Sequence, residues 1–493
     1  MEKMEKDSSY SHILKYTGIF GSVQGLNILV GIIRNKLVAM ILGPNGMGLV
    51  ALFNSTIKLL SDSTNFGIGM SGVKSISEKY DKGDSEGLKK SISLIRSWSL
   101  LTAFFGMFLC ILLSPLLNQW TFNWGNHTLH FILLSPVVAL MAITVGESAI
   151  LKATRKLKSL AKISVYNVFG ALLTSVPIYY FFGESGIVPS LVVIALIQMI
   201  LTISYSYRQY PLRLSFKKQF LDGGFSMLRL GIAFVFAGIM GSGAEFIIKS
   251  FLNNTGSLDV VGLFNAGYMM TMTYAGMVFS AMETDYFPRL SAIQGTGMML
   301  NDCVNKQIEV CLLLVSPLLV AFMIGLPILL PLLYSGKFLP VMGMVQVTIF
   351  AMYMRAITLP ISYISLGKGD SMSYLMMEAS YDIVIVLLVL FGYRQWGLTG
   401  TGIGITICSV FNFIILLIYM RWRFDYRISK PVLRFALMQI PFGCMAYGLT
   451  YVHNPLIYWS LGILVTLGSL WYSIKILKSK THLWESLKRR MSR

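Results

Sequence analysis

The sequence predicts an all-α polytopic membrane protein of about 14 transmembrane helices. Three observations predict it: low charge, long apolar stretches, and basic residues confined to alternate loops. Apolar residues make up 55% of the 493 and charged residues only 13%, where a soluble domain carries about 25% charged. Mean hydropathy is +0.66. About 20 apolar residues suffice to cross the hydrocarbon, and many stretches are that long. No ten-residue alternating pattern appears, which argues against a β-barrel. Residues 1–11 are polar and no small-residue cleavage site follows, so no cleavable signal is expected.

The stretches fall near 12–42, 46–77, 91–114, 128–151, 161–182, 187–208, 226–252, 260–293, 306–334, 340–367, 371–393, 398–422, 433–452 and 455–477. Every second loop is basic. The second holds Lys79, Lys82, Lys89 and Lys90, and the fourth Lys152, Arg155, Lys156, Lys158 and Lys162. The sixth holds Arg208, Arg213, Lys217 and Lys218, the eighth Arg289 and Lys306, the tenth Lys368. The twelfth holds Arg421, Arg423, Arg427, Lys430 and Arg434. Lys3 and Lys6 begin the chain, and the tail adds seven more, from Lys475 to Arg493. The intervening loops hold only Lys337 and Arg394. Basic loops stay in the cytoplasm, so both termini are expected inside and the span count even. The net charge of +19 is thus a topology signal and does not point to nucleic acid. The aromatic residues Trp120, Phe122 and Trp124 read as an interfacial belt.

A weak internal repeat divides the chain. Gly48 and Gly262, and likewise Ser77 and Ser291, stand the same 214 residues apart. The offset covers six stretches, an even number, so both copies enter the membrane in the same orientation, as in two-lobed transporters. The expected organisation is a six-helix lobe over 1–208, a cytoplasmic linker over 209–225, a second six-helix lobe over 226–427, and two further helices with a basic tail over 428–493.

Charge inside the apolar stretches is the main functional clue, because it needs a partner or water. In the first stretch Gln24, Asn27, Gly31 and Arg34 recur at helical spacing, with Lys36 beside them. In the second, Asn54, Lys58, Asp62 and Asn65 form one stripe. The seventh carries Gly238, Ser242, Glu245 and Lys249, and the tenth Thr348, Arg355, Thr358 and Ser362. Such stripes suggest a hydrated cavity shared by both lobes. Each has a plainer reading: Arg34 and Lys36 snorkel to the outer interface, and Lys58–Asp62 and Glu245–Lys249 are i,i+4 ion pairs. Arg355 shows no neighbouring acid in the sequence. Glu378 and Asp382, one turn apart, suit holding a proton or cation, or sit at the cytoplasmic headgroups. Gly400-Thr401-Gly402-Ile403-Gly404 follows no strand and reads as close helix packing. His127 and His130 lack further metal ligands at useful spacing, and the five cysteines form no CxxC pair. With no GxxxxGK[ST], HExxH or GxSxG motif, neither a cofactor, a metal nor an enzyme activity is expected.

The run Gly43-Pro44-Asn45-Gly46-Met47-Gly48-Leu49 resembles the LGPxGxG connection of Wzx-type O-antigen translocases. The likeness continues through Asn65-Phe66-Gly67-Ile68-Gly69, Val261-Gly262, Phe287-Pro288-Arg289-Leu290-Ser291 and Glu378, over roughly 12–425. These flippases belong to the multidrug/oligosaccharidyl-lipid/polysaccharide (MOP) exporter superfamily. The resemblance implies a V-shaped bundle with a cavity between lobes, alternating access, and an undecaprenyl-diphosphate-linked oligosaccharide as cargo. It implies a bacterial inner-membrane protein acting as a monomer among membrane lipids, with a polysaccharide polymerase and a chain-length regulator as partners. Many relatives stop at 12 helices, so the last two depart from the pattern. On this reading Arg34, Lys36, Lys58, Lys249 and Arg355 bind the diphosphate. Asn27, Asn54, Asn65 and Thr358 line the cavity, and Glu378, Asp382, Asp62 and Glu245 are candidates for ion coupling. The rivals are a drug/cation antiporter of the same superfamily, which would favour an acidic cavity, and a glycan polymerase or ligase, which would need a large periplasmic segment.

The topology is testable by cysteine labelling in a thiol-free background. Leu157→Cys and Ser215→Cys should label only from the cytoplasmic side; labelling from the periplasm would contradict the assignment.

Overall fold

The computed structural model describes residues 2–214, 219–276, 279, 286–287, 289–293 and 295–480. Lys217, Lys218, Pro288 and the tail from residue 481 lie outside the described residues, as do the side chains of Lys3, Lys6 and Gln24. The described residues are helical without strands. In order they form α1 (Glu2–Thr64), α2 (Ile68–Asp81), α3 (Ser85–Thr121), α4 (Thr128–Ala153), α5 (Leu157–Phe182), α6 (Ile187–Tyr207) and α7 (Gln219–Thr255). Then come α8 (Leu258–Tyr268), α9 (Met298–Leu333), α10 (Met342–Gly367), α11 (Ser371–Phe424), α12 (Lys430–Leu449) and α13 (Pro455–Lys480).

Ten continuous segments among the described residues are long and apolar enough to cross a membrane. Three of them contain a break where the sequence predicts a turn between spans. One is at Gly43 in α1, one at Gly183–Gly186 between α5 and α6, and one at Trp396 and Gly397 in α11. The predicted span 260–293 is described only in part. Large apolar side chains such as Phe104, Phe108, Leu133, Leu173, Phe181, Leu387 and Ile418 are exposed. A soluble monomer does not tolerate so much apolar surface; in a bilayer it faces acyl chains. The chain is a multi-pass membrane protein.

The helix ends follow local chemistry. Gly43 adopts φ 66°, ψ −171°, a conformation open essentially to glycine alone. Pro44 then opens the second half of α1 with its φ already helical. Asp84 accepts a hydrogen bond from the Gly87 N–H at 2.8 Å and caps α3. Asp370 accepts one from the Ser373 N–H at 3.2 Å and caps α11. Both are side-chain oxygens at the position where a helix leaves N–H groups unpaired.

The chain divides into two packing units: the chain up to Gly262 with Leu333–Ser335, and Leu263–Leu332 with the chain from Gly336 on. The division lies later than the 209–225 linker expected from the repeat, because α7 and the start of α8 pack on the first unit. Asn253 donates to the Thr121 carbonyl at 2.8 Å, Asn254 to that of Trp120 at 3.0 Å, and Asn123 returns a bond to Asn254 at 2.8 Å. A Cβ on Gly48 would lie 2.1 Å from the Leu258 carbonyl oxygen, and one on Gly262 1.9 Å from that of Pro44. The two glycines that the 214-residue offset makes equivalent therefore meet backbone to backbone, which only small residues allow.

The first unit also encloses an ion pair. Arg96 of α3 donates through Nε to Glu147 of α4 at 2.8 Å, with both side chains only 3% exposed. Its Nη2 reaches the Tyr210 carbonyl at 2.9 Å and its Nη1 that of Pro211 at 2.8 Å, while Ser206 donates to Glu147 at 2.5 Å. This pair ties α3, α4 and the chain after α6 together, beside an apolar cluster of Ile92, Ile95, Trp98 and Ile150. At the opposite end of α4, His127 and His130 stack among Phe53, Phe122 and Trp124. Burial, with His130 beside it, holds the His127 imidazole below its ordinary range.

In the second unit the glycine run of α11 packs closely, as the sequence predicts. Cβ atoms on Gly402 and Gly404 would each stand 2.5 Å from a carbonyl oxygen, of Met344 and Leu388. The last two helices join through Gln439, which donates to the Ser473 hydroxyl at 2.8 Å and accepts from Ser469 at 2.7 Å. Tyr458 anchors α13 to the Ile324 carbonyl at 2.7 Å.

Gly48→Ala should destabilise the protein by about 1–3 kcal/mol, the usual cost of overpacking. Gly31→Ala, with open space around it, should be neutral or slightly stabilising. Thermal unfolding of the two variants in detergent makes the comparison; equal behaviour would contradict the close approach.

Candidate functional site

Besides the Arg96–Glu147 pair, the first unit carries charge within its apolar segments on α1 and α7. On the second half of α1, Asn54, Lys58 and Asp62 recur every four residues and so share one face. Asn54 and Lys58 are exposed, while Leu52, Phe53, Ser55, Thr56 and Ile57 around them are buried. Glu245 of α7 receives two ammonium groups: Lys58 at 3.0 Å on Oε2 and Lys249 at 2.6 Å on Oε1. Lys58 is 53% exposed and Lys249 only 6%. Asp62 lies beside Ser242 and Gly238 of α7, within electrostatic range of Lys58.

Arg34, on the first half of α1, donates from Nε to the Ser175 hydroxyl of α5 at 2.9 Å. No carboxylate lies within ion-pairing distance of it among the described residues. Two turns earlier, Asn27 donates to Ser164 at 2.6 Å. Between 25–64 and 235–255, α1 and α7 carry Arg34, Lys36, Lys58 and Lys249 against Asp62 and Glu245. Over those ranges these two helices carry two more cations than acids.

The second unit holds a cavity of about 390 Å³, inside the range of about 300–1,000 Å³ typical of small-ligand clefts. Arg355 and Thr358 of α10, Glu378 and Tyr381 of α11, and Tyr268 at the end of α8 line it. Arg355 donates to the Met272 sulfur at 3.7 Å and acts electrostatically on Glu378, which also meets Tyr374. Tyr268 opens directly into a π-helical stretch, Met269–Ala275, and Met272 of that stretch lines the same cavity. Such wide turns are uncommon and concentrate at functional sites.

Several expectations need correction. Lys58 does not pair only within its own helix: its ion pair runs to Glu245, 187 residues away. Lys249 is enclosed against Glu245, so it does not stand on an open cavity wall. Asn65 does not continue the polar stripe; its Oδ1 accepts the Gly67 N–H at 2.8 Å and shapes the turn into α2. Arg355 does have an acid beside it, Glu378. Glu378 lines the cavity, and Asp382 is not among the described residues that line it. Thr358 lies on the wall of the second unit's cavity, and Asn54 is exposed on α1. Lys36 is half-buried on α1. Sequence reasoning missed Arg96 and Glu147, although two opposite charges inside neighbouring apolar stretches were a signal for them. It also missed the tyrosines of the cavity, which read as ordinary core residues.

A family model described as "Polysaccharide biosynthesis protein" matches residues 37–343. No curated relative matches the sequence significantly. Among solved structures, the fold is similar to an inward-facing multidrug resistance MATE family transporter of the MOP superfamily, with TM-score 0.67 and 16% identity over 81% of this chain and 94% of that one. It is similar to the lipid II flippase MurJ in an inward closed conformation, with TM-score 0.67 and 13% identity over 94% and 99%. It also matches a MOP superfamily transporter from Pyrococcus furiosus described as having a binding pocket of reverse polarity, with TM-score 0.60 and 14% identity over 83% and 96%. At these identities the likeness is one of fold. The family match and the fold together bear out the resemblance to Wzx-type members of the MOP superfamily.

Glu245→Gln should strand the buried Lys249 ammonium and destabilise the protein by about 3–5 kcal/mol. Lys249→Met in the same chain should recover most of that loss. Chemical unfolding in detergent measures both; full stability in Glu245→Gln alone would show that the carboxylate does not hold α7 to α1.

Proposed function

Because the chain belongs to the polysaccharide biosynthesis protein family, we propose that it is a flippase for an undecaprenyl-diphosphate-linked oligosaccharide, an O-antigen or related surface-glycan unit. It carries this cargo from the cytoplasmic to the periplasmic leaflet of a bacterial inner membrane, with both its termini in the cytoplasm. One observation carries the reading: over 25–64 and 235–255, within segments long and apolar enough to cross a membrane, α1 and α7 hold two more cations than acids. Bare charge in hydrocarbon is prohibitively costly, so a diphosphate of about two negative charges crosses only along groups that answer it. Arg34, held by a neutral hydroxyl, and Lys58, half exposed, are the groups best placed to give their charge to a ligand.

Lys249 supports Lys58 indirectly. It occupies the second oxygen of Glu245, so that carboxylate is shared and holds Lys58 less tightly than an undivided partner would. Lys36 adds positive charge on the same helix as Arg34. Asp62 and Glu245, and Glu378 and Asp382 in the second unit, are the carboxylates through which an ion gradient would act on transport. The cation surplus argues against a cationic drug as cargo. The protein works as a monomer in this proposal, delivering the unit to a polysaccharide polymerase and its chain-length regulator.

Binding of the undecaprenyl-diphosphate glycan to purified protein in nanodiscs tests the site. Lys58→Gln and Arg34→Gln should each weaken binding about tenfold, equivalent to about 1.4 kcal/mol, and Lys58→Arg should retain most of the affinity. Wild-type affinity in both neutral variants would reject the electrostatic site.

A further inference from the structure

The cavity of the second unit has a chemistry of its own. Among the described residues that line it, the one guanidinium, Arg355, and the one carboxylate, Glu378, border the same space. An anion entering there would displace or confront Glu378, and a cation would confront Arg355. Among these described residues neither charge sign is in excess. Around the pair stand the rings of Tyr268, Tyr374 and Tyr381, with the Asn412 amide beside them. Tyr381 lies within electrostatic range of Tyr268, Arg355 and Glu378 together, so the rings and the charged pair border one space.

A tyrosine ring offers a flat apolar face and a polar edge. A pyranose ring has the complementary form, with apolar C–H faces and a rim of hydroxyls that both donate and accept. Arginine presents a planar fork of donors and an ionised carboxylate presents only acceptors, so the pair can serve adjacent hydroxyls from both sides. Bonds in which one partner is ionised are the stronger kind. The π-helical turn that carries Met272 to this wall is a costly local geometry, which fits a built site better than a packing accident.

We propose that this cavity is a saccharide subsite that takes one uncharged pyranose unit of the cargo. Tyr268, Tyr374 and Tyr381 stack on the ring, and Arg355, Glu378 and Asn412 hold its hydroxyls. The inference rests on the flippase reading above and reassigns Arg355 from the diphosphate, and Glu378 from ion coupling, to the glycan. It divides recognition between two chemistries: cations of α1 and α7 for the diphosphate, and a charge-balanced aromatic pocket for sugar.

The experiment uses the purified full-length protein in nanodiscs and soluble probes. These are the methyl glycosides of glucose, galactose and N-acetylglucosamine, methyl glucuronide as an acidic probe, and geranyl diphosphate. Saturation-transfer NMR should show at least one neutral glycoside bound at a Kd of the order of 1 mM, and more tightly than the glucuronide. Glu378→Gln and Tyr374→Ala should each weaken that glycoside at least fivefold, while geranyl diphosphate binding is unchanged. Tyr381→Phe, which keeps the ring, should lose less than Tyr374→Ala and guards against a folding defect. Preference for the glucuronide, or Arg355→Gln weakening geranyl diphosphate as much as Lys58→Gln does, would overturn the subsite in favour of an anion site. Geranyl diphosphate binding with no glycoside bound rejects the subsite alone. Glycoside binding without geranyl diphosphate binding supports the subsite and rejects the electrostatic site, and binding of neither probe rejects both.

Discussion

Charge carried into an apolar slab must be answered, and the arrangement of helices in this protein follows from how that is done. Arg96 and Glu147 are only 3% exposed, and the arginine's remaining donors end on the carbonyls of Tyr210 and Pro211. That pair is complete: each ion has its opposite and its spare hydrogen-bonding groups are used. A buried pair of this kind contributes little net stability against an apolar replacement, but losing one member is expensive. Its effect is therefore to fix which helices lie together. The Glu245 array differs. Its carboxylate is divided between a buried lysine and a half-exposed one, so one face of the array is still open to exchange. The pair in the second unit differs again, because Arg355 and Glu378 border a cavity.

These three arrangements suggest a division of labour. The complete pair holds the first unit rigid near the ends of α3 and α4. The divided array ties α7 to α1 and at the same time presents Lys58. The cavity pair polarises an aromatic pocket without giving it a net sign. Close backbone approach does the remaining work of assembly. Gly48 against Gly262 and the glycines of α11 let helices meet at distances no larger residue permits, which suits a setting where apolar side chains gain nothing by leaving lipid.

Much of the fold was legible because it depends on local properties. Span length, basic loops and the Gly43-Pro44 break are read from residues in order, and each reflects a constraint acting where those residues stand. The glycine run 400–404 was legible for the same reason. The site was legible only in its residue types. Lys58, Glu245 and Lys249 were recognised as intramembrane charges, but the sequence offered Asp62 as the nearest partner for Lys58, one turn away. The actual partner comes from a helix 187 residues on, and only packing brings it there. Glu378 and Asp382 looked like a pair for the same reason, yet Glu378 lines the cavity with Arg355 and Asp382 is not among the described residues that line it. Asn65 matched the stripe by spacing, but it sits where α1 ends, and a turn claims its side chain first.

As a flippase of the kind proposed, this chain would move a diphosphate-linked glycan between leaflets by means of cations in its membrane-spanning segments. Reconstitution tests it most directly. Proteoliposomes holding undecaprenyl-diphosphate oligosaccharide only in the outer leaflet would be probed with an impermeant glycosidase added at successive times. Wild-type protein should withdraw cargo from the enzyme faster than protein-free vesicles do, and Arg34→Gln/Lys58→Gln protein should fall to the protein-free rate. A wild-type rate equal to that of protein-free vesicles, or a double variant as fast as wild type, would contradict it.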